Sequence, residues 1–225
     1  GMWSFHNWVR ACLRDGKPVD AMVRDIITAE GSTFTDGPAN FYLTARTPTD
    51  WSETSAHLFL GVRLQCARCH HHPFEKWSQD DYYGMAAFFV RMGTKNSQEF
   101  GLFGRETVVF LRPSGEQTHP RKGGVMKPAP LGGEAADDPV DRRKALAAWL
   151  TKPGNPFFAR NVVNRFWAYT MGRGLVEPID DMRETNPPSI PALLDALAAD
   201  FEANRFDLKH LLRTIFNSRA YQLDS

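Results

Sequence analysis

The stretch FLGVRLQCARCHHHPF, residues 59–74, carries the most specific pattern in the chain, C-x-x-C-H. Thiols at this spacing, Cys66 and Cys69, can each form a thioether with a haem vinyl group, and the imidazole of His70 can ligate the iron. On a helix these three residues share one face. With three cysteines in 225 residues, two of them at this spacing beside a histidine are not expected by chance. The pattern therefore predicts a covalently attached haem c.

The same residues are compatible with a zinc site or a disulfide. Zinc would bind Cys66 and Cys69 together with one or two of His70, His71 and His72. The sequence has no second C-x-x-C and no H-x-x-x-H pattern, so a distant side chain would have to complete the zinc site. The side chains considered for this position are His57, His119, Asp80 and Asp81. A redox-active dithiol is less favoured, because such pairs usually begin a helix and Cys66 follows one.

Aromatic residues are dense after the motif, and they predict a dry pocket for the macrocycle. They are Phe74, Trp77, Tyr82, Tyr83, Phe88 and Phe89. A helix that starts at Ser78 and ends near Gly93 would place Met85 and Met92 on one face, where either sulfur could be the sixth iron ligand. Packing in the core is the alternative for both methionines. His72 is too close to His70 to reach the opposite face of the same haem.

Charge and hydropathy exclude several function classes. The chain has 27 Lys and Arg against 26 Asp and Glu, so its net charge of +1 gives no reason to expect nucleic acid or an anionic membrane as a partner. The apolar runs are too short to span a bilayer, and no signal peptide opens the chain. Because a helical pattern already begins at Trp3, we expect the chain to be an internal piece of a longer protein.

Helical periodicity dominates both ends of the chain. It predicts helices over 3–13, 19–29 and 51–65 before the motif, and over 140–150, 155–171, 190–203 and 208–221 in the second half. Between these halves, Thr107 to Leu111 forms a short β-type run within a stretch rich in Pro and Gly. We therefore predict a mainly α fold with a helical module over 1–95, a connection with a short β-hairpin over 96–140, and a second helical module over 141–225.

Four acidic residues follow the turn Gly172 to Gly174 in the second half. They are Glu177, Asp180, Asp181 and Glu184. Paired carboxylates of this kind can bind calcium or perform glycosidic acid-base chemistry. The nearby arginines favour an ion-pair network instead. We identify no catalytic constellation in the sequence.

The residues from Phe59 to His70, with His72, Pro73 and Phe74, resemble the second planctomycete cytochrome C-like domain family. The segment from Asn155 to Arg165, with Gly172 to Gly174 and Asp207 to Gln222, resembles the planctomycete surface-protein domain of unknown function. Together the two resemblances cover nearly the whole chain. They imply a large, exported bacterial protein whose other domains, or an unknown redox partner, would contact this chain.

Two functions remain open at this stage. One is electron transfer through a haem held by Cys66, Cys69 and His70, with the second module as a packing or docking partner. The other is a non-catalytic surface or interaction module in which Cys66, Cys69, His70 and His72 form a zinc- or disulfide-clamped turn. An oxidoreductase that acts on carbohydrate is neither supported nor excluded.

Overall fold

The computed structural model of the protein describes residues 1–73, 75–97 and 106–223. Helices dominate the first part of the chain. They are α1 (Met2–Asp15), α2 (Val19–Thr28), α3 (Pro48–Ser55) and α4 (Gln79–Ala86). A 3-10 helix covers Pro38–Leu43. The second part is also helical: α5 (Arg142–Leu150), α6 (Phe158–Met171), α7 (Pro191–Ala203), α8 (Leu208–Phe216) and α9 (Arg219–Gln222). The predicted mainly α fold is confirmed.

Several helix ends form where the sequence predicts them. The Ser78 side chain accepts a hydrogen bond from the backbone N–H of Asp81, whose carboxylate accepts one in return, so α4 begins with a capping box. Asp207 caps α8 in a similar way. Gly172 ends α6 in the left-handed conformation, with φ of 77°, which glycine adopts without strain.

Two small antiparallel sheets form the β element. Strands β1 (Gly31–Ser32), β2 (Met92–Asn96) and β3 (Thr107–Leu111) make a sheet in the order β1-β3-β2. Strands β4 (Gln117–Thr118) and β5 (Val125–Met126) form a hairpin in the connection. The predicted β run over 107–111 is therefore the central strand of the larger sheet.

Several predicted helices are shorter than expected. The helix predicted over 155–171 begins at Phe158, and the helix predicted over 208–221 is interrupted between Phe216 and Arg219. The helix predicted over 51–65 ends at Ser55 and passes into a π-helical turn, Ala56–Leu60. Gly61 then takes the left-handed conformation, with φ of 69°, which terminates the turn. The helix predicted to reach Gly93 ends at Ala86, because Met92 already pairs with Leu111 in the sheet.

A single hydrophobic core runs through both halves of the chain. Ile27 of α2 and Leu146 of α5 are fully buried in the same cluster, and α2 packs against α5. The connection also contributes, since Leu131 is buried in this cluster and Ala129 N–H donates to the Gly84 carbonyl at 3.1 Å. Within the described ranges, no helix has the length and apolar character needed to cross a membrane.

Candidate functional site

The C-x-x-C-H motif forms a tight surface turn over residues 65–70. Gln65–Arg68 is a 3-10 helix, and Cys69 is the residue that follows it. Three residues complete one turn of such a helix, so positions 66 and 69 lie on the same side of it. Both thiols are free and exposed, whereas Ala67 between them is fully buried and anchors the turn to the core. The two thiols are therefore exposed on the same side of a 3-10 turn.

Side chains from two other elements hold the backbone of this turn. The Gln79 amide at the start of α4 donates to the Arg68 carbonyl at 2.8 Å, and the Tyr83 hydroxyl donates to the same oxygen at 3.3 Å. Arg121 reaches from the connection and donates to the Cys69 carbonyl at 2.7 Å. Because three donors satisfy two adjacent carbonyls, the backbone of the turn is held by the surrounding fold.

The imidazole of His70 is held in the tautomer that a metal ligand requires. Its Nδ1 lies 2.6 Å from the His71 carbonyl oxygen, and a carbonyl can only accept, so Nδ1 carries the proton. The lone pair is then on Nε2. A backbone carbonyl bound to Nδ1–H is a common partner of metal-ligating histidines. His70 is exposed, as are both cysteines of the motif.

The aromatic residues predicted to line a haem pocket belong to the protein's own core instead. Trp77, Tyr82, Tyr83, Phe88 and Phe89 are all buried. Phe74 lies outside the described residues. The Tyr82 hydroxyl donates to Glu53 of α3, the Trp77 ring packs against Phe157, and the Tyr83 ring lies against His119. Cys66, Cys69 and His70 have the chemistry that would suit a haem attached at the surface, whereas the described aromatic side chains near them belong to the core.

The two candidate sixth ligands do not share a helix face. Met85 lies in α4, whereas Met92 is the first residue of β2. Both side chains are buried in the hydrophobic core. Both methionines therefore have the role in core packing that the sequence analysis gave as the alternative to iron ligation.

The side chains considered for closing a zinc site are engaged elsewhere. In the part of the chain that the structure describes, no three His, Cys, Asp or Glu side chains lie close enough to hold a metal ion. Asp81 belongs to the capping box of α4, and Asp80 pairs with Lys122 at 2.5 Å. His57 contacts Asp180. His72 is half-buried, and burial together with the nearby charge of Arg183 lowers its pKa.

A cleft of about 510 Å³ adjoins the motif on the side of Gln65. Its walls combine residues from both halves of the chain, because Asp180 contacts His57 and accepts from Arg63 Nη2 at 2.5 Å. Although burial acts to raise the pKa of Asp180, the hydrogen bonds from His57 and Arg63 hold it below its usual value. Two further acidic residues of the second half also form ion pairs, Asp181 with Arg183 at 3.0 Å and Glu184 with Lys76 at 3.1 Å, whereas Glu177 accepts a hydrogen bond from the Gly174 backbone N–H.

The second half also braces the π-helical turn that carries His57. The Asn161 side chain donates to the Leu58 carbonyl at 2.8 Å, and Arg165 donates to the His57 carbonyl at 2.7 Å. Met182 N–H donates to the Gly61 carbonyl at 2.9 Å. Sequence reasoning did not predict this contribution, because each contact joins residues more than 100 positions apart and leaves no local pattern.

Comparison with protein families gives one match in each half. Residues 1–94 match PSCyt2, a protein of unknown function (DUF1549), and residues 142–225 match PSD1, a protein of unknown function (DUF1553). No curated protein and no solved structure matches the chain. Both matches agree with the two resemblances and with their predicted order. The chain is therefore similar to PSCyt2 over residues 1–94 and to PSD1 over residues 142–225, in this order.

Proposed function

We propose that this chain is a c-type haem-binding electron-transfer module of an exported bacterial multidomain protein. One observation carries the proposal. The C-x-x-C-H turn presents two free thiols and an imidazole with an available Nε2 on one exposed surface, and three hydrogen bonds fix the backbone beneath them. This is the arrangement of donors that covalent haem attachment uses.

Each residue of the turn has a separate role in the proposal. Cys66 and Cys69 would hold the haem through two thioethers, each formed by addition of a thiol S–H across a vinyl group, which consumes no oxidant. His70 would provide Nε2 to the iron, with its ring held in the correct tautomer by the His71 carbonyl. When bound, the haem supplies a reversible one-electron change.

The fold favours exchange of electrons with a partner over chemistry on a buried substrate. Because the turn lies at the surface, a haem attached there would have an exposed edge that a redox partner can approach. The PSD1 domain acts in this proposal as a structural brace, since its Asn161 and Arg165 hold the turn that precedes the motif. Haem attachment through thioethers takes place outside the cytoplasm, so the proposal includes an extracytoplasmic location for the full-length protein.

The test is production of the exported chain together with haem maturation proteins. We expect the mass of one haem to be retained through acid-acetone extraction, and a pyridine haemochrome spectrum of the bis-thioether type. The variant Cys66→Ala/Cys69→Ala should lose the covalent haem. His70→Ala should retain the thioethers and change the Soret spectrum. Cys12→Ala is the matched control, because Cys12 is a buried cysteine of α1 outside the motif.

A different outcome would replace electron transfer with the second function that the sequence left open. If the exported protein gains no haem mass and no Soret band but binds zinc stoichiometrically through Cys66 and Cys69, the turn is a metal clamp of an interaction module. If neither haem nor zinc binds and mass spectrometry shows a Cys66–Cys69 disulfide, the clamp is covalent. Either result refutes the electron-transfer proposal.

A further inference from the structure

We propose that a cavity beside the C-x-x-C-H turn binds an oxyanion, either a carboxylate or a phosphate group, through the Nε2–H of His119. The cavity has a volume of about 290 Å³. It lies between the turn, the start of α4 and the β4–β5 hairpin. Its lining residues are His70, His71, Ser78, Gln79, Asp80, His119, Arg121 and Lys122.

Backbone contacts fix the protonation of His119. Its Nδ1 accepts hydrogen bonds from the backbone N–H groups of Arg121 and Lys122, each at 3.1 Å. An imidazole nitrogen that accepts hydrogen bonds carries no proton, so the proton of the neutral ring is on Nε2. His119 is therefore a hydrogen-bond donor toward the cavity. The same contacts argue against the metal-ligand role considered from the sequence, because Nε2 has no lone pair to offer.

This donor is buried without a hydrogen-bond partner. The His119 side chain is only 2% exposed, and its Nε2 makes no hydrogen bond within the described residues. The Asp80 carboxylate is the nearest charge, with Oδ1 at 3.4 Å from Nε2, but it does not meet hydrogen-bond geometry and its other oxygen accepts from Lys122. A buried donor without a hydrogen-bond partner is unfavourable, so a ligand in the cavity that accepts a hydrogen bond from Nε2–H would stabilise this arrangement.

The charges around the cavity select a negatively charged acceptor. Arg121 and Lys122 are permanent cations, and Asp80 is the permanent anion among the lining residues. Lys122 neutralises Asp80 through their direct ion pair, which leaves the guanidinium of Arg121 in excess. A carboxylate or phosphate oxygen satisfies both the His119 donor and this excess of positive charge.

Such a group can come from two sources. One is a propionate of a haem held by Cys66, Cys69 and His70, and this source rests on the proposed function. Arg121 would then connect the two sites, because it lines the cavity and also donates to the Cys69 carbonyl at 2.7 Å. The other source is a free anion from solution, which requires no haem.

The test begins with the haem-free chain, so that it is independent of the proposed function. Inorganic phosphate and propanoate are titrated separately while long-range 1H–15N spectra follow the imidazole of His119. We expect saturable shifts of its Nε2 resonance. In Arg121→Gln/Lys122→Gln, which retains the His119 ring, binding should weaken by roughly tenfold or more, since hydrogen bonds to charged groups contribute most. Arg10→Gln, which removes a cation from α1 away from the cavity, should bind as the unchanged chain does.

Absence of a saturable shift with both probes, or an equal loss of affinity in Arg10→Gln, would overturn the proposal. His119→Phe should abolish binding measured by calorimetry, and circular dichroism checks its fold. If that variant does not fold, the double variant decides the question alone. A repeat of the phosphate titration with the haem-loaded chain separates the sources. Loss of phosphate binding identifies a propionate as the occupant, and retained binding identifies a free anion.

Discussion

Replacement of Arg143 should destabilise both halves of the protein together. Its side chain is fully buried at the start of the PSD1 domain and forms a two-point ion pair with Asp141, in which both N–O distances are 2.9 Å. It also reaches into the PSCyt2 domain, where it donates to the Ala29 carbonyl at 2.8 Å and to the Tyr42 hydroxyl at 3.0 Å. No other described guanidinium has a side chain as completely buried.

The expected magnitude follows from what the substitution leaves behind. Arg143→Met preserves much of the side-chain volume but leaves the carboxylate of Asp141, which is only 3% exposed, without its cation. Removal of one partner from a buried ion pair typically costs about 4 kcal/mol. This is a large share of the roughly 5–15 kcal/mol that separates a folded domain from its unfolded state. The double variant Asp141→Asn/Arg143→Met should recover part of the loss, because neither charge is then left unpaired.

Urea unfolding, followed by circular dichroism and by hydrogen exchange in each half, measures this effect. We expect Arg143→Met to lower the free energy of unfolding and to increase exchange in both 1–94 and 142–225. Arg14→Met is the control, because the Arg14–Asp15 pair is on the surface and should contribute little. A loss below about 1 kcal/mol, or increased exchange confined to one half, would refute the inference that Arg143 joins the two domains.

Two further predictions test the region between the domains. Gly61→Ala should destabilise the protein by more than the roughly 1–2 kcal/mol that a left-handed backbone costs, because the new Cβ would lie 2.7 Å from Asn161 Oδ1. Gly172→Ala is the control, because Gly172 has a similar φ of 77° and open space around it. A melting temperature of Gly61→Ala that is no lower than that of Gly172→Ala would contradict this. Asp180→Asn should make the protein lose less stability on acidification. In the folded protein the pKa of Asp180 is below its ordinary value of 3.8, so the ionised carboxylate stabilises the fold at pH values above 3.8. This stabilisation is lost as the pH falls through the folded pKa. If the free energies of unfolding of the unchanged chain and of Asp180→Asn differ by the same amount at neutral and at acidic pH, the effect is absent.

Local features of the fold could be read from the sequence. Ser78, Asp207 and Gly172 act within one helical turn, so their residue types alone predict where α4 and α8 begin and where α6 ends. The C-x-x-C-H motif is equally local, and its thiols are on one side of a turn as expected. Its secondary structure was not predicted: Gly61 ends the preceding turn in the left-handed conformation, and its carbonyl accepts from the backbone N–H of Met182, which is distant in sequence.

The surroundings of the site depend on contacts between distant parts of the chain. His57 and Asp180 are 123 residues apart, and no spacing rule connects them. The burial of Trp77 and Phe89 was misread for a similar reason, since aromatic side chains next to a haem motif have the same pattern as side chains of an ordinary core. His119 was considered only as a metal ligand, because the backbone donors that fix its proton become visible only in three dimensions.

The core shared by Ile27 and Leu146 has a practical consequence for anyone who divides this polypeptide. If the two family segments are produced as separate fragments, each would present to water the apolar surface that its counterpart normally covers, and each should aggregate when alone. Mixed during refolding, the fragments should complement one another and regain the shared interior. The two segments would then have to change together, so that a substitution in the buried face of α2 is tolerated only if α5 accommodates it.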